Sequence, residues 1–366
     1  MKKILYCAST ANHLRSFHIP YLQALTEAGR QVTAAASGTG EGLPPGVAFV
    51  DVPFTKSFFS LRNLRASAQL AALMRRERFD TVLVHTSLAA FFARLGVLLA
   101  GKRKTRVVNT VHGYLFGENS PQPRRGVLLA AEKLTAPLTD EILTMNAEDT
   151  RIAQKHRLCR GGVVQVGGMG VDASRFRPAA PEERAETRAA LDIPPDAFVM
   201  LYAAEFSPRK NQRFLLECMC DLPGDMRLIL PGDGELLTDC RRYAAGSGLA
   251  GRVLFPGYRP DTRLYRAAAD VCVSSSLSEG LPFHVMEAML CGLPCLLTDV
   301  KGHADLMAGG ACGVCYPVGD RSAFRQAAEQ LRDDPALRAL LGENARLRAQ
   351  DYRLEAVMPE LMAHYL

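Results

Sequence analysis

The stretch Ser276-Leu-Ser-Glu279-Gly280-Leu281-Pro282-Phe-His-Val-Met-Glu287-Ala-Met-Leu-Cys-Gly292-Leu-Pro294 decides the fold. An apolar run at 271–274 precedes it, short and β-type, and ends in a turn of small residues. Pro282 sits where a helix would begin, because proline's fixed φ suits the first helical position. Apolar residues then recur at helical spacing until Cys291-Gly292, and a second β-type run occupies 294–297. Strand, turn, helix and strand in about 25 residues is the unit of a parallel α/β sheet.

The same alternation extends outward in both directions. In the first half, β-type runs fall at 3–8, 31–36, 81–85, 106–111 and 141–145, separated by helical patterns at 14–28, 64–78, 88–100, 126–136 and 147–155. In the second half the runs are 197–203, 227–230, 253–255, 271–274 and 294–297, followed by a helical tail beyond Arg321. The break falls where Gly167-Gly168-Met169-Gly170-Val171-Asp172 gives way to the proline-rich stretch 178–195; glycines tolerate hinge angles, and such stretches make poor domain interiors. The expectation is α/β throughout: two Rossmann-like, doubly wound domains facing across a cleft. The first spans 1–170 and serves the acceptor. The second spans 171–350 and binds the nucleotide-sugar, and a helix at 351–366 returns toward the first.

Composition agrees with a soluble globular chain of 366 residues, 48% hydrophobic and 22% charged. The longest apolar stretch, 88–100, carries Arg94 in its middle and is too short to cross a bilayer. The apolar run after Met1-Lys2-Lys3 is short for a signal-peptide core and reads as a strand, so a cytoplasmic protein is expected. Ten cysteines are then expected to be reduced. The spacing Cys291-x3-Cys295 and Cys312-x2-Cys315 resembles a zinc ribbon, but helix-end and strand positions explain it, and no metal site is expected.

Charge is uneven. Residues 1–170 hold 22 Lys and Arg against 11 Asp and Glu, a net +11, while the remainder holds 22 against 27, a net −5. A basic half suits an anionic membrane surface or nucleic acid. No nucleic-acid-binding signature accompanies it. The segment 53–65 mixes Phe58 and Phe59 with Lys56, Arg62 and Arg65; Arg75, Arg76 and Arg78 follow, and Lys102, Arg103, Lys104 and Arg106 form a second cluster. Aromatic rings at the headgroup boundary with nearby cations make a reversible membrane anchor. The alternative is that Phe58 and Phe59 close the core under a loop.

The chemistry-bearing residues begin with the quoted stretch. A helix N-terminus offers free N–H groups to a phosphate, and Gly280 and Leu281 lead into it. Glu287, one turn along the helix, can accept hydrogen bonds from vicinal hydroxyls, and Glu279 from a second set. Ala204-Glu205-Phe206-Ser207-Pro208-Arg209-Lys210-Asn211 follows the first strand of the second domain. Two adjacent cations there can neutralise a departing diphosphate without a metal. Weaker glycine turns at Gly232-Asp-Gly234 and Gly257-Tyr258-Arg259 are candidates for the base pocket.

The string Ser-x-x-Glu-Gly-x-Pro-x4-Glu-Ala-Met-x-x-Gly-x-Pro resembles the signature of retaining GT-B glycosyltransferases of family 4. Thr110-Val-His112-Gly113 is similar to that family's Thr-x-His-Gly turn. Asp140 through Asp149, followed by Gly170-Val-Asp172-x3-Phe176-x-Pro178, looks like its exopolysaccharide, capsule and glycan-assembly branch. Val253-x-Phe255-x-Gly257 and Ala268-Ala-Asp270-Val also fit. The resemblance implies that Glu287 holds the ribose, Glu279 the donor-sugar hydroxyls, and Lys210 with Arg209 the diphosphate, while His112 sits near the reacting centre.

Two departures stand out. Glu205 occupies the place of an arginine five residues before the lysine, which Arg209 would replace. The loop Ser9-Thr10-Ala11-Asn12-His13 lacks the usual paired glycines, leaving His13 and His18 as acceptor-side candidates.

The implied reaction moves a sugar, UDP-linked by expectation, to a hydroxyl of a glycan or polyprenyl-diphosphate-linked acceptor with retention and without a cofactor or metal. If segment 53–65 serves as the anchor, the protein is expected to sit peripherally on the inner face of the plasma membrane. Two alternatives share the fold, a UDP-sugar 2-epimerase and a non-catalytic sugar-nucleotide-binding subunit. A dinucleotide-binding protein is disfavoured because no Gly-x-Gly-x-x-Gly follows the first strand.

Overall fold

A computed structural model describes residues 1–55, 57–101 and 105–366. The chain divides into two compact units, the first comprising Met1–Gly170 and Glu355–Leu366, the second Val171–Leu354. The boundary before the C-terminal helix thus falls four residues later than the sequence placed it.

The first unit is built on seven strands: β1 Lys3–Thr10, β2 Gln31–Ser37, β3 Ala48–Asp51, β4 Thr81–His85, β5 Arg106–Val111, β6 Glu141–Thr144 and β7 Val163–Gln165. Their order is β3-β2-β1-β4-β5-β6-β7 and every pairing is parallel. Helices cover the sheet, which is why the central strands read as continuous apolar runs; Leu5, Tyr6, Cys7, Val82, Leu83 and Val84 are fully buried.

Arg94 belongs to the helix Ser87–Ala100 and is also fully buried. Its guanidinium pairs with Glu132 at 2.8 Å and reaches Thr139 at 3.3 Å, so the charge that interrupted the apolar stretch is compensated inside the unit. The helix Leu354–Tyr365 completes this unit, with Tyr365 Oη 3.0 Å from Thr110 Oγ1, and with Arg106 bound to both Glu141 and the His364 carbonyl at 2.6 Å.

The second unit has six parallel strands: β8 Phe198–Leu201, β9 Met226–Pro231, β10 Val253–Gly257, β11 Val271–Ser274, β12 Cys295–Thr298 and β13 Gly313–Tyr316. Their order is β10-β9-β8-β11-β12-β13. Its core gathers Met200, Tyr202, Leu228, Leu230, Val273 and Leu296 with Phe214 and Phe324 from flanking helices. Asp270, part of the Ala-Ala-Asp-Val string, caps the Val199 amide at 2.7 Å and pairs with Arg184 and Arg188, a structural assignment.

In each sheet the strand order reverses once, between β1 and β4 in the first unit and between β8 and β11 in the second. The loops leaving the carboxyl ends of such neighbours run in opposite directions and open a crevice. Both candidate sites lie at these two points.

Candidate functional site

At the reversal in the second unit, the segment after β8 supplies Arg209 and Lys210 and the segment after β11 supplies Glu279. Lys210 Nζ lies 2.5 Å from Glu279 Oε1, and Arg209 Nη1 lies 2.9 Å from Oε2. Ser276 Oγ donates to the same Oε1 at 2.5 Å, and Tyr202 Oη stands 2.7 Å from that hydroxyl. The two segments are stitched by backbone: the Leu277 amide donates to the Arg209 carbonyl at 2.8 Å, and Ser275 Oγ donates to the Asn211 carbonyl at 2.9 Å.

Lys210 and Glu279 are both buried. Burial would push Glu279 up, but Lys210 and Arg209 outweigh it and hold the carboxyl well below the usual range. Burial pulls Lys210 down against the opposite pull of Glu279. The rings of His284 and His303 are buried nearby, and the Nε2 atom of each has no hydrogen-bond partner.

Close backbone approach fixes these loops. A Cβ on Gly302 (φ +78°) would meet the Gly280 carbonyl oxygen at 2.4 Å, and one on Gly234 (φ +147°) the Phe206 carbonyl at 2.4 Å. Gly234 is therefore the residue that lets the turn after β9 pack on the segment after β8. Asn211 starts the helix Gln212–Asp221 in the left-handed region (φ +53°), which asparagine tolerates.

Pro282 precedes the helix Phe283–Leu290, and Glu287 lies on its part-exposed side. There Glu287 Oε2 pairs with the buried Arg266, while Oε1 has no hydrogen-bond partner among the described residues. Burial raises the Glu287 carboxyl while Arg266 opposes the rise. Gly280 and Leu281 lie between the two glutamates in the chain; Leu281 is buried, and the Gly280 carbonyl packs against Gly302. Gly257 ends the edge strand β10 at φ +76°, and Arg259 is exposed just beyond it; neither joins the Lys210–Glu279 cluster.

At the reversal in the first unit stands a cluster of histidines. His13 and His18 follow β1, His85 ends β4, and His112 follows β5. The register places His85 beside Thr110, two residues before His112. His85 Nδ1 is 3.1 Å from His112 Nε2, and Tyr6 Oη is 2.8 Å from His18 Nδ1. Tyr6 stacks on His85 at 4.4 Å, and Tyr365 from the C-terminal helix meets the same ring edge-on at 5.9 Å. Burial holds all four imidazoles neutral, with His13 lowered to about 4.

Residues 9–13 are not a loop, as expected, but a strand-to-helix junction. β1 runs on to Thr10, whose hydroxyl caps the helix Ala11–Phe17 by accepting from the His13 amide at 3.1 Å. Next to the cluster, Thr86 holds φ +65°, a costly angle for a β-branched residue.

Among the described residues, His13, His18 and His112 are a group able to hold a metal ion, their ligand atoms lying within 4.8 Å of one another. The four cysteines with ribbon-like spacing form no such group among the described residues. Cys291 caps a helix, Cys295 opens β12, Cys312 precedes β13 and Cys315 lies within it. Sequence reasoning gave no site role to Tyr6, His85, Tyr202, Arg266 or Ser276; Ser276 stood in the quoted signature and His85 closed a β-type run, whereas Tyr6 within β1, Tyr202 after β8 and Arg266 in the helix Arg263–Ala268 carried no signal of their own.

Two parallel-sheet units, each with a cluster of polar groups at the point where its strand order reverses, define a two-domain α/β protein of Rossmann-like architecture. The chain matches the family model for glycosyl transferases group 1 over residues 183–348 and that for Glycosyltransferase Family 4 over 21–175. It is 32% identical over 371 residues to EpsD of Bacillus subtilis (strain 168), covering 100% of this chain and 97% of that one; the assignment of that relative as a glycosyltransferase is itself provisional. It is 28% identical over 292 residues to the UDP-Gal:alpha-D-GlcNAc-diphosphoundecaprenol alpha-1,3-galactosyltransferase of Escherichia coli, covering 78% of this chain and 74% of that one. In structure it resembles Anabaena Alr3699/HepE in complex with UDP-glucose, with a TM-score of 0.79 at 18% identity, covering 100% and 99% of the two chains. The chain belongs to the GT-B glycosyltransferases, with family 4 and group 1 domains.

Proposed function

We propose that this glycosyltransferase moves a sugar from a UDP-sugar to a hydroxyl of a glycan or polyprenyl-diphosphate-linked acceptor, with retention, in surface-polysaccharide assembly. The observation that carries the reading is the Lys210–Arg209–Glu279 cluster at the reversal of the second sheet. In glycosyl transfer the bond from the anomeric carbon to the diphosphate oxygen breaks, and charge develops on the leaving group. Lys210 and Arg209 are pre-placed for that charge by a carboxylate, in a site where burial strengthens the interaction. Donor binding exchanges partners: the diphosphate takes over the cations, and Glu279 accepts from hydroxyls of the donor sugar. Glu287, through its Oε1, accepts from the ribose.

The relatives support the donor and acceptor classes by name: one uses UDP-Gal and a diphosphoundecaprenol-linked acceptor, and the similar fold is seen with UDP-glucose. No metal is required in this scheme, because cationic side chains do the neutralising. His112 offers a neutral imidazole to sugar hydroxyls.

An anionic membrane surface is the proposed partner of the first unit. Phe58 packs inward on Phe91 and Phe92 at 5.4 and 5.8 Å, so half of the core-closing alternative holds. Phe59 is 85% exposed, with Leu61, Leu64, Arg62 and Arg65 exposed beside it. Arg106 is taken by Glu141 and does not add to a basic patch. Lys56, Lys102, Arg103 and Lys104 lie outside the described residues. No described helix is long and apolar enough to cross a membrane.

The test is turnover of UDP-, GDP- and ADP-sugars with undecaprenyl-diphosphate-linked acceptors, and NMR of the product's anomeric configuration. UDP-sugar consumption with retention, undiminished by EDTA, is expected. A requirement for Mg²⁺, or inversion, would contradict the scheme.

A further inference from the structure

The histidine cluster holds more lone pairs than its hydrogen bonds use. Nε2 of His13 and Nε2 of His18 are buried without any hydrogen-bond partner, and His18 has no exposed surface at all. An unpaired buried polar atom is costly; among the described residues the cluster carries three, these two and Nε2 of His85, and the two on His13 and His18 point to a group that satisfies both. No carboxylate hydrogen-bonds to the rings of His13, His18 or His112 among the described residues, which argues against a set of charged imidazoliums. The ring centroids of His13 and His18 are 4.9 Å apart, and each lies 5.4 Å from His112.

We propose that His13, His18 and His112 form a site for a divalent transition-metal ion of the zinc class, and that its occupancy inhibits sugar transfer. Three neutral imidazoles without thiolate or carboxylate select Zn²⁺, Cu²⁺ or Ni²⁺ over Mg²⁺ and Ca²⁺. Ligand nitrogens around a tetrahedral zinc, at about 2.0–2.1 Å from the ion, stand roughly 3.4 Å apart. Coordination would require the present spacing, within 4.8 Å, to contract to that distance.

Outer contacts of the kind that orient metal-binding imidazoles are already in place. Tyr6 Oη lies 2.8 Å from His18 Nδ1; in the tautomer with the proton on Nδ1 the tyrosine accepts it and Nε2 carries the lone pair that a metal needs, and His85 contacts His112. Three protein ligands leave a fourth position open to water or another ligand. The inhibition half rests on the role proposed for His112, whose ring would be withdrawn from the sugars by coordination; the binding half stands without it.

The experiment titrates Zn²⁺ into the metal-free full chain against a chromophoric chelator, with Mg²⁺ as a control and Co²⁺ as a spectroscopic probe. Expected are one zinc per chain, a tetrahedral Co²⁺ spectrum, and at least ten-fold weaker binding in His13→Gln and in His18→Gln. The double variant Cys220→Ser/Cys315→Ser, which removes the exposed thiols, should bind as wild type does. His13→Gln, at a part-exposed position, keeps the test valid should the buried His18→Gln fail to fold. Absence of stoichiometric binding, or binding indifferent to His13→Gln, overturns the site. Zinc bound at full stoichiometry with transfer unaffected overturns the inhibition. An inactive wild-type chain that still binds zinc through these histidines would count against the transferase reading alone.

Discussion

Glu279 has three donors on its carboxylate, from Lys210, Arg209 and Ser276, and its ionised form is correspondingly favoured in the folded state. A carboxyl whose folded pKa lies below its unfolded value contributes stability that is fully present above about pH 4.3 and is lost as pH falls through the folded value. Glu279→Gln removes that contribution. Thermal melts should show the variant well below wild type at pH 6, with the gap narrowing as pH drops toward 3. A gap that stays constant would mean that the pairing contributes nothing to folding. The sequence shows Glu279, Lys210 and Glu287 because each sits in a turn or helix with a local signature. It does not show Arg266 against Glu287 or Ser276 and Tyr202 behind Glu279. Arg266 reaches Glu287 over 21 residues and Tyr202 reaches Ser276 over 74, which no local spacing encodes; the Ser276–Glu279 hydrogen bond spans only three residues and lies inside the quoted signature, but the signature alone does not say that the hydroxyl donates to the carboxylate.

Among the elements, the helix Ser87–Ala100 carries the most exacting arrangement, a fully buried Arg94 matched by Glu132 from the helix Gln122–Thr135. Removing one partner leaves the other charge buried and unpaired, so Glu132→Ala should cost about 3–5 kcal/mol. Denaturant unfolding measures it, and a cost below about 1 kcal/mol would show that water or another group replaces the carboxylate. The apolar pattern of this helix was legible; Arg94 looked like an interruption because its partner lies 38 residues away. Central strands such as β4, β5 and β11 were readable to the residue, since burial on both faces leaves them rich in valine and other β-formers with few charges. β3 and β7 were not, being short edge strands with part-exposed residues that alternate weakly. The helical pattern of 14–28 is in fact two helices, Ala11–Phe17 and Ile19–Glu27, because Pro20 fits the first turn of a new helix and not the interior of one.

For the whole molecule, the charge asymmetry and the exposed Phe59, Leu61 and Leu64 beside Arg62 and Arg65 predict salt-sensitive co-sedimentation with phosphatidylglycerol vesicles. Each cation near an anionic surface contributes about 1 kcal/mol, so replacing Arg62 and Arg65 by Ser should weaken partitioning roughly ten- to thirty-fold. No binding even at low salt would favour a soluble acceptor.

At the second unit's reversal point, the proposed nucleotide-sugar site divides its labour between two glutamates, Glu287 for the ribose and Glu279 for the sugar. Calorimetric titration of UDP into wild type, Glu287→Ala and Glu279→Ala, paired with turnover of the UDP-sugar, tests it most directly. UDP contains the ribose but no hexose, so Glu287→Ala should weaken UDP binding at least ten-fold, while Glu279→Ala should leave UDP affinity near wild type and cut turnover at least a hundred-fold. Equal losses of UDP affinity in the two variants, or full turnover in Glu279→Ala, would contradict the account.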